Sequence, residues 1–321
     1  MAVYTKINSS DITLIEKLFN FGKIKKFRGI KKGIENTNYI IYTNHDKYVL
    51  TIFERRVNSK DLPFFMKLMS GLSKLGINCP EPLKNKKNKF LFKIKNKKAC
   101  VVTFLEGQDK TNLNSKDCYS IGKNIAKLHN ASNKINLYRK NNLSINSWKP
   151  LLNKIDKRIN KLSKNLIGEV SKDLVFIKRK WPKKLPNGII HSDLFIDNIF
   201  FLKNKFRGFI DFYFSSNDYY AYELAVCINA LCFDKKKNLF VLNKKKSSKL
   251  LDGYQSIRKL SKMEKSNMNI MCIGAAMRYL LTRSYDYLNT PKNALIKIKD
   301  PKEYIQKLKY HRKLNSYKDY F

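Results

Sequence analysis

The stretch Gly188-Ile-Ile-His-Ser-Asp-Leu-Phe-Ile-Asp-Asn-Ile-Phe-Phe201, followed by Gly208-Phe-Ile-Asp-Phe212, decides the fold of this 321-residue chain. Three aspartates and an asparagine gather among its apolar residues, although the whole sequence is strongly basic. Lys203-Asn204-Lys205 separates two short apolar runs, a pattern typical of a β-hairpin. A surface hairpin with scattered acids does not explain this gathering, so the stretch predicts a functional loop at the ends of strands.

The spacing of His191, Asp193 and Asn198 matches the catalytic loop of phosphotransferases. In the protein-kinase pattern H-R-D-x-x-x-x-N, the Asp accepts the proton of the substrate hydroxyl and the Asn holds Mg²⁺. A later Asp holds the metal that bridges the ATP phosphates, and Asp211 stands in that place. Such a pattern occurs by chance in on the order of a few per cent of chains of this length, so it needs a matching fold.

The formal net charge is +41, from 66 lysines and arginines against 25 aspartates and glutamates. A charge of this size often indicates binding to nucleic acid or to an anionic membrane. Here lysine greatly outnumbers arginine and is spread along the whole chain, whereas proteins that recognise bases rely on arginine. We therefore expect a solvated lysine surface and no nucleic-acid partner, with a positive field that attracts ATP and anionic intermediates.

The six cysteines form neither a C-x-x-C motif nor a zinc-ligand pair with histidine. The first eleven residues lack the apolar segment of a secretory signal, and no apolar run approaches the length of a membrane span. These features predict a cytoplasmic protein without a membrane partner. The sequence does not indicate the oligomeric state.

The first third of the chain is predicted to form an antiparallel sheet with packed helices, and the remainder is predicted to be mainly helical. Strands are expected within Phe27–Tyr42, Tyr48–Phe53, Phe90–Ile94 and Cys100–Leu105, and helices at Asp11–Phe19 and Asp61–Leu75. Further helices are expected at Ser115–Ala131, Tyr219–Cys232, Ser248–Leu260 and Met268–Leu288.

This arrangement predicts an α+β, bilobal, protein-kinase-like fold with the ATP site in the cleft. Residues 1–104 would form a small, β-rich N-lobe that covers the nucleotide. Residues 105–321 would form a larger, mainly helical C-lobe with the catalytic loop and the metal and substrate site. The fold and the loop motif support each other, which neither does alone.

Several segments together resemble the bacterial homoserine kinases of the aminoglycoside phosphotransferase and choline kinase superfamily. The resemblance runs nearly end to end and rests on Met1–Thr5, Gly29–Tyr39, Val49–Arg56, Asp61–Phe65, Thr103–Gly107, His191–Asn198, Ile210–Phe214, Asn217-Asp218, Ala221–Ala225 and Arg278–Leu281 with Arg283. It implies ATP-dependent phosphorylation of the hydroxyl of L-homoserine, giving O-phospho-L-homoserine for threonine biosynthesis. ATP and Mg²⁺ are the cofactors that this resemblance implies.

The resemblance also implies roles for single residues in the catalytic loop and the acceptor site. Asp193 would orient and deprotonate the acceptor hydroxyl, and Asn198 and Asp211 would hold Mg²⁺. An amino-acid acceptor needs an anion for its ammonium group and a cation for its carboxylate. The candidates are Asp218 and Glu223 for the first and Arg278 and Arg283 for the second, with Glu223 better suited to bracing the catalytic loop.

For the nucleotide, the turn from Gly29 to Gly33 would cover the phosphates, because backbone N–H groups approach closely where no Cβ intervenes. Asn36 and Asn38 would pin that turn or act as ordinary turn residues. The other residues expected to contact ATP are Thr51, Phe104, Leu105 and Glu106. Thr51 stands where protein kinases carry a lysine on the third strand; Arg55 and Arg56 are the nearest cations, and they would either replace it or form a solvated strand end.

Two alternatives stay open at the level of sequence. One is a related small-molecule kinase for choline or an aminoglycoside, because Tyr213, Tyr219, Tyr220 and Tyr222 could form the aromatic cage of a choline site. The other is a basic polyanion-binding protein on a decayed kinase fold. The intact Asp193, Asn198 and Asp211 argue against decay.

Overall fold

Two compact units make up the structure: Met1–Gly107 with Arg207–Tyr213, and Gln108–Phe206 with Phe214–Phe321. The computed structural model describes residues 4–30, 36–54, 57–290, 298–314 and 316–321. The first unit is rich in strands and the second in helices. The roles predicted for residues 1–104 and 105–321, covering the nucleotide and carrying the catalytic loop, remain predictions.

The first unit is built on an antiparallel sheet. Its elements are α1 (Ser9–Leu18), β1 (Ile24–Gly29), β2 (Thr37–Thr43), β3 (Lys47–Ile52), α2 (Leu62–Lys74), β4 (Leu91–Ile94) and β5 (Lys97–Thr103). The strands lie in the order β1-β2-β3-β5-β4. Apolar residues of α1 and the sheet, among them Ile15, Ile41, Leu50 and Val101, form one buried core. The predicted strands and both predicted helices are confirmed in this unit.

Helix α1 begins at Ser9, two residues before the predicted start at Asp11. The side chain of Asn8 accepts a hydrogen bond from the backbone N–H of Asp11 at 3.1 Å, and Asp11 accepts one from the N–H of Asn8 at 2.9 Å. This reciprocal capping box satisfies two N–H groups that would otherwise lack partners. Asn8 is therefore the cap, and Asp11 occupies the third helical position.

The second unit holds most of the helices. Its elements are α3 (Ser115–Ser132), α4 (Ile145–Ile155), α5 (Leu166–Lys180), β6 (Asn187–Ile190), β7 (Ile199–Leu202), β9 (Ser216–Tyr219), α6 (Tyr220–Leu231), β10 (Phe233–Lys236), β11 (Leu239–Leu242), α7 (Lys244–Gln255), α8 (Lys262–Ser266), α9 (Met268–Asn289) and α10 (Lys302–His311), while strand β8 (Lys205–Phe209) leads the chain into the first unit. Among the described residues, no helix is both long and apolar enough to cross a membrane.

Helices α3 and α7 approach each other closely because each presents a glycine at the contact. A Cβ on Gly122 of α3 would overlap the carbonyl oxygen of Leu250, and one on Gly253 of α7 would overlap that of Tyr119. Helix α7 begins at Lys244, not at the predicted Ser248, because the side chain of Asn243 caps it through the N–H of Lys246 at 3.1 Å.

Three of the short strands were not predicted. Strand β9 pairs antiparallel with β6, and β10 pairs antiparallel with β11. The segment that contains β10 carries a lysine run, which was interpreted as solvated surface. The reversal between β10 and β11 includes Lys237 at φ 52°, a conformation that few residues other than glycine adopt and that the sequence does not signal.

Replacing Gly122 by Ala should destabilise the protein by about 1–3 kcal/mol, because the added methyl group meets backbone that cannot rotate away. Urea unfolding followed by circular dichroism would measure the change in the free energy of unfolding. Gly168→Ala in α5 is the matched control, since its methyl group would meet only the side chain of Asn165, at 3.0 Å. Equal midpoints for the two variants would show that the α3–α7 contact is not tight.

Candidate active site

The predicted catalytic loop follows strand β6, whose last residue, Ile190, is fully buried. Pairing of Ile190 with Ser216 of β9 fixes the end of the strand, and the hydroxyl oxygens of Ser192 and Ser216 lie 3.1 Å apart. Ser192 has φ 70°, in the left-handed region that costs energy for residues with a side chain. The surrounding contacts must therefore hold the backbone of this loop in place.

Both carboxylate oxygens of Asp193 have hydrogen-bond donors from the protein. Tyr279 donates its hydroxyl to Oδ1 at 3.2 Å, and Asn198 donates its Nδ2 to Oδ2 at 3.3 Å and to the backbone carbonyl of Asp193 at 2.8 Å. Burial raises the pKa of Asp193, although the positive charge of Arg278 opposes the shift. A carboxylate that is oriented on both sides and has a raised pKa suits a general base.

Helix α9 supports the loop from behind. Arg278, only 2% exposed, donates from one terminal nitrogen to the carbonyl of Ser192 at 2.8 Å, and the hydroxyl of Tyr279 reaches the same carbonyl at 3.1 Å. Both residues therefore hold the backbone that carries Asp193. Tyr279 was missed at the level of sequence, because no local motif shows which face of an apolar helix meets the loop.

A buried carboxylate, that of Glu223 on α6, anchors the beginning of the loop. Its two oxygens accept hydrogen bonds from the backbone N–H groups of His191 at 2.6 Å and Ser192 at 2.7 Å. Burial alone would raise the pKa of Glu223, but the hydrogen bonds from His129 and from the backbone of His191 outweigh it, so the pKa lies below its usual value. The expectation that Glu223 braces the loop is confirmed.

His191 contributes to the interior of the loop. It is fully buried, and its Nδ1 accepts a long hydrogen bond of 3.4 Å from the backbone N–H of Asp193. Packing and hydrogen bonding within the loop are therefore the roles that the structure shows for His191.

The acceptor candidates Asp218, Arg278 and Arg283 all have partners inside the second unit. The carboxylate of Asp218 accepts from the side chain of Asn141 at 2.6 Å and from the N–H of Tyr219 at 2.8 Å, and burial raises its pKa. One terminal nitrogen of Arg283 donates to Glu303 at 2.6 Å. Each of the three side chains already binds other residues of the protein. Their assignment to the acceptor therefore remains a prediction.

Asp211 belongs to the first unit, whereas Asp193 and Asn198 belong to the second. It has φ 66°, again in the left-handed region, and precedes a short 3₁₀ turn at Phe212–Phe214. The ring of Tyr213 packs edge-on against Phe53 and Phe65 in the same unit. The packing of Tyr213 thus lies two residues after Asp211, the residue with the strained backbone and the candidate metal-binding carboxylate.

Of the predicted nucleotide contacts, Gly29, Asn38 and Thr51 lie on strands of the first unit, Asn36 precedes β2, and residues 104–106 follow β5. Gly29 ends β1, while Gly33, Arg55 and Arg56 lie outside the described residues. Within this unit, the side chain of Asn36 accepts a hydrogen bond from the N–H of Glu54 at 3.4 Å, and the hydroxyl of Thr51 donates to Asn38 at 2.8 Å. The N–H of Phe104 donates to the carbonyl of Lys47 at 3.3 Å, and the carboxylate of Glu106 forms an ion pair with the side chain of Lys47 at 3.2 Å. Leu105 lies against Gly208. Thr51 and Asn38 therefore tie β2 to β3.

An ion pair that sequence reasoning missed lies at the edge of the same sheet. Lys97 of β5 pairs with Glu54, whose other oxygen accepts from the hydroxyls of Thr5 at 2.7 Å and Thr37 at 2.8 Å. Burial alone would raise the pKa of Glu54, but the hydrogen bonds from Lys97 and the two threonines lower it below its usual value. No sequence motif joins these four residues, because they come from separate parts of the unit.

Comparison with known proteins assigns the fold and the reaction class. A sequence model of the phosphotransferase enzyme family matches residues 26–259. The chain belongs to this family. The phosphotransferase is 39% identical over 320 residues to the homoserine kinases of Brucella anthropi and Brucella canis, and the match covers 100% of this chain and 97% of each relative.

Two solved phosphotransferases share the fold at low sequence identity. An amicoumacin kinase superposes with a TM-score of 0.69 at 14% identity, covering 96% of this chain and 92% of its own. A spectinomycin phosphotransferase superposes with a TM-score of 0.65 at 14% identity, covering 98% of both chains. The predicted α+β, kinase-like fold of this phosphotransferase is confirmed.

Replacing Tyr279 by Phe should raise the pKa of Asp193 further, because the charged carboxylate loses a hydrogen-bond donor. If Asp193 is the base, the acid limb of the pH–rate profile of phosphoryl transfer moves to higher pH. Tyr285→Phe is the matched control, since Tyr285 lies on the same helix and is 38% exposed. An acid limb that stays in place or moves to lower pH would contradict the role given to this hydrogen bond.

Proposed function

We propose that this phosphotransferase is an ATP-dependent homoserine kinase, which transfers the γ-phosphoryl group of ATP to the hydroxyl of L-homoserine and forms O-phospho-L-homoserine in threonine biosynthesis. The observation that carries the choice of acceptor is the 39% identity to homoserine kinases along the whole chain. The geometry around Asp193 supports the reaction class, because it presents an oriented carboxylate.

In the proposed reaction, Asp193 takes the proton of the acceptor hydroxyl while the hydroxyl oxygen forms a bond to the γ-phosphorus. The bond from that phosphorus to the bridging oxygen breaks, and ADP leaves with its electrons. Tyr279 and Asn198 keep the carboxylate in one orientation, so little reorganisation is needed when the acceptor binds. Burial of Asp193 brings its pKa nearer to neutrality, which favours proton transfer.

Mg²⁺ would be held by Asn198 and Asp211. The amide oxygen of Asn198 and the carboxylate of Asp211 are hard oxygen donors of the kind Mg²⁺ prefers. Asn198 directs its amide nitrogen to Asp193, which turns its amide oxygen in another direction. The described residues contain no group of three His, Cys, Asp or Glu that could hold a metal, and Mg²⁺ is commonly bound by one or two protein ligands together with phosphates. The ion, when bound, neutralises charge on the phosphates.

The residues proposed to contact ATP and those proposed to contact the acceptor are supported by different observations. For ATP we propose Gly29, Asn36, Asn38, Thr51, Phe104, Leu105 and Glu106 of the first unit, together with Gly33, which lies outside the described residues. For the acceptor, Asp218, Arg278 and Arg283 remain candidates, although the described contacts use all three within the fold. The choice of homoserine therefore depends on the relatives and not on these side chains.

A choline-type aromatic cage is not supported by the tyrosines that suggested it. Tyr213 packs on Phe53 and Phe65 in the first unit, Tyr220 stacks on the ring of His129 at 4.4 Å, and Tyr222 is fully buried. The fourth candidate, Tyr219, is partly buried and donates its hydroxyl to the carbonyl of Pro182 at 3.1 Å, so all four tyrosines have contacts within their own units. This observation favours homoserine over choline as the acceptor.

We also propose a cytoplasmic location for the enzyme. All six cysteines lie among the described residues, and all are free and buried. Free thiols in the interior suit a reducing compartment, where structural disulfides are rare.

An ATP-consumption assay with L-homoserine, choline and an aminoglycoside side by side tests the proposal. We expect turnover with homoserine, and we expect Asp193→Ala to lose about 10²–10⁴-fold in rate, as is typical for a positioned acid–base group. Asp197→Ala is the matched control, because Asp197 lies in the same loop and its side chain is 38% exposed. Turnover of choline without homoserine would overturn the acceptor, and full activity of Asp193→Ala would overturn the base.

Asn198→Ala should raise the Mg²⁺ concentration needed for half-maximal rate, because one oxygen ligand is lost. The same change removes the donor to Asp193, so the rate at saturating Mg²⁺ should also fall. A titration of rate against Mg²⁺ at saturating ATP separates the two effects. An unchanged Mg²⁺ requirement would remove Asn198 from the proposed metal site.

A further inference from the structure

His129 of α3 is a fully buried titratable residue that the proposed transfer does not use directly. Its Nε2 lies 3.3 Å from the carboxylate of Glu223, and its Nδ1 lies 2.8 Å from the hydroxyl of Tyr254 on α7. The imidazole therefore links Glu223, which anchors the catalytic loop, to helix α7. No described hydrogen bond joins α7 directly to the loop. Its position raises the question of what the ring does there.

The partners of His129 determine which ring nitrogen carries the proton. Glu223 accepts two backbone N–H groups and has a lowered pKa, so it is an ionised acceptor, and Nε2 must donate to it. The hydroxyl oxygen of Tyr254 lies 2.8 Å from Nδ1 and already accepts a hydrogen bond from Arg258, so its own hydrogen is available for Nδ1, and burial lowers the pKa of His129, which favours the neutral ring. Nδ1 therefore accepts the hydroxyl hydrogen of Tyr254.

The series of hydrogen bonds continues from Tyr254 of α7 to Arg258 and then to Glu264 of α8. The hydroxyl oxygen of Tyr254 accepts from a terminal nitrogen of Arg258 at 3.2 Å, and that nitrogen also donates to Glu264 of α8 at 2.9 Å. Glu264 is fully buried and accepts the N–H of Ser261 at 2.9 Å. The described hydrogen bonds thus form one series from Arg258 through Tyr254 and His129 to Glu223, which binds the catalytic loop.

The charged groups that face His129 come from α6, from α8 and from the segment between α7 and α8. Glu223 of α6 and Glu264 of α8 act to raise the pKa of His129, whereas burial, the largest effect, and the positive charge of Arg258 act to lower it, and the pKa is lowered. The ring of Tyr220 covers one face of the imidazole at 4.4 Å, and Arg258 lies 4.7 Å above that same tyrosine ring. A second proton on the imidazole would remove the acceptor of the Tyr254 hydroxyl.

We propose that His129 is a positioning residue for phosphoryl transfer: as the neutral Nε2–H tautomer, oriented by Tyr254, it fixes the carboxylate of Glu223 and through it the loop that carries Asp193. The proposal deepens the function proposed above and rests on Asp193 as the base. Ser192 is held in a strained backbone conformation between these contacts, so the loop depends on support from outside itself. Displacement of a catalytic group by about 1 Å can cost about 10²-fold in rate.

Nitrogen-15 NMR of histidine-labelled protein tests the tautomer without any assay of activity. The protein has four histidines, and His129→Gln identifies the signals of His129 by their disappearance. We expect signals of a neutral ring with the proton on Nε2, unchanged as the pH is lowered from 8 to 6, across the usual histidine pKa of about 6.5. A proton on Nδ1, or protonation of the ring in that range, would overturn the proposal whatever the acceptor substrate is.

Kinetics of His129→Gln and His129→Leu test the positioning role. The Gln amide can still donate to Glu223, whereas Leu cannot, so Leu should lose about 10²-fold in kcat with little change in the KM for ATP, and Gln should lose less. Tyr254→Phe should lower kcat in the same way while it leaves the Nε2–H tautomer in place. His45→Gln is the control, because His45 is an exposed histidine in the first unit.

The kinetic outcomes separate the two proposals. Equal kcat in wild type, His129→Leu and Tyr254→Phe would overturn the positioning role, as would equal losses in the Leu and Gln variants. If homoserine is not turned over but another acceptor is, the same comparison is made with that acceptor, and only the proposed substrate fails. If His129→Leu does not fold, Tyr254→Phe and the NMR tautomer decide.

Discussion

The carboxylate of Glu223, buried in the second unit, is the group on which the arrangement of the catalytic loop depends. An ionised carboxylate is unstable in an apolar interior unless donors surround it, and Glu223 receives two backbone N–H groups of the loop together with an imidazole N–H. The N–H groups of His191 and Ser192 in turn donate to Glu223, and Ser192 adopts a left-handed backbone. The carboxylate of Glu223 and the two N–H groups of the loop therefore satisfy each other's hydrogen bonds, and both would be unfavourable to bury alone. We expect the loop and α6 to become ordered together.

The part of the site that sequence alone could predict is the part encoded by local spacing. Asp193 and Asn198 stand five residues apart, and the structure joins them by two hydrogen bonds from one amide nitrogen. Tyr279 and His129 come from distant helices, so their approach to the loop depends on tertiary packing that no local motif reports. Arg278 was noticed for its charge, but only the fold shows that the guanidinium binds the carbonyl of Ser192.

The fold was predictable to a similar depth. Amphipathic helices and β-branched strands follow from side-chain periodicity, and the structure contains them. The helix boundaries depend on single capping hydrogen bonds, as at Asn8 and Asn243. In a sequence rich in asparagine and lysine, many other polar residues could cap a helix equally well, so the sequence does not show which one does. Strand β9 is too short and polar to show a pattern, and it exists because β6 offers it a partner.

The glycine contact between α3 and α7 has a consequence for how this enzyme would fail under heat. His129 lies on α3 and Tyr254 on α7, next to Gly253, so the spacing of the two helices sets the distance across which their hydrogen bond forms. A substitution that widens the contact would break that bond while the helices remain folded. Variants at Gly122 or Gly253 would then behave as temperature-sensitive alleles, in which phosphoryl transfer stops at a temperature below that of unfolding.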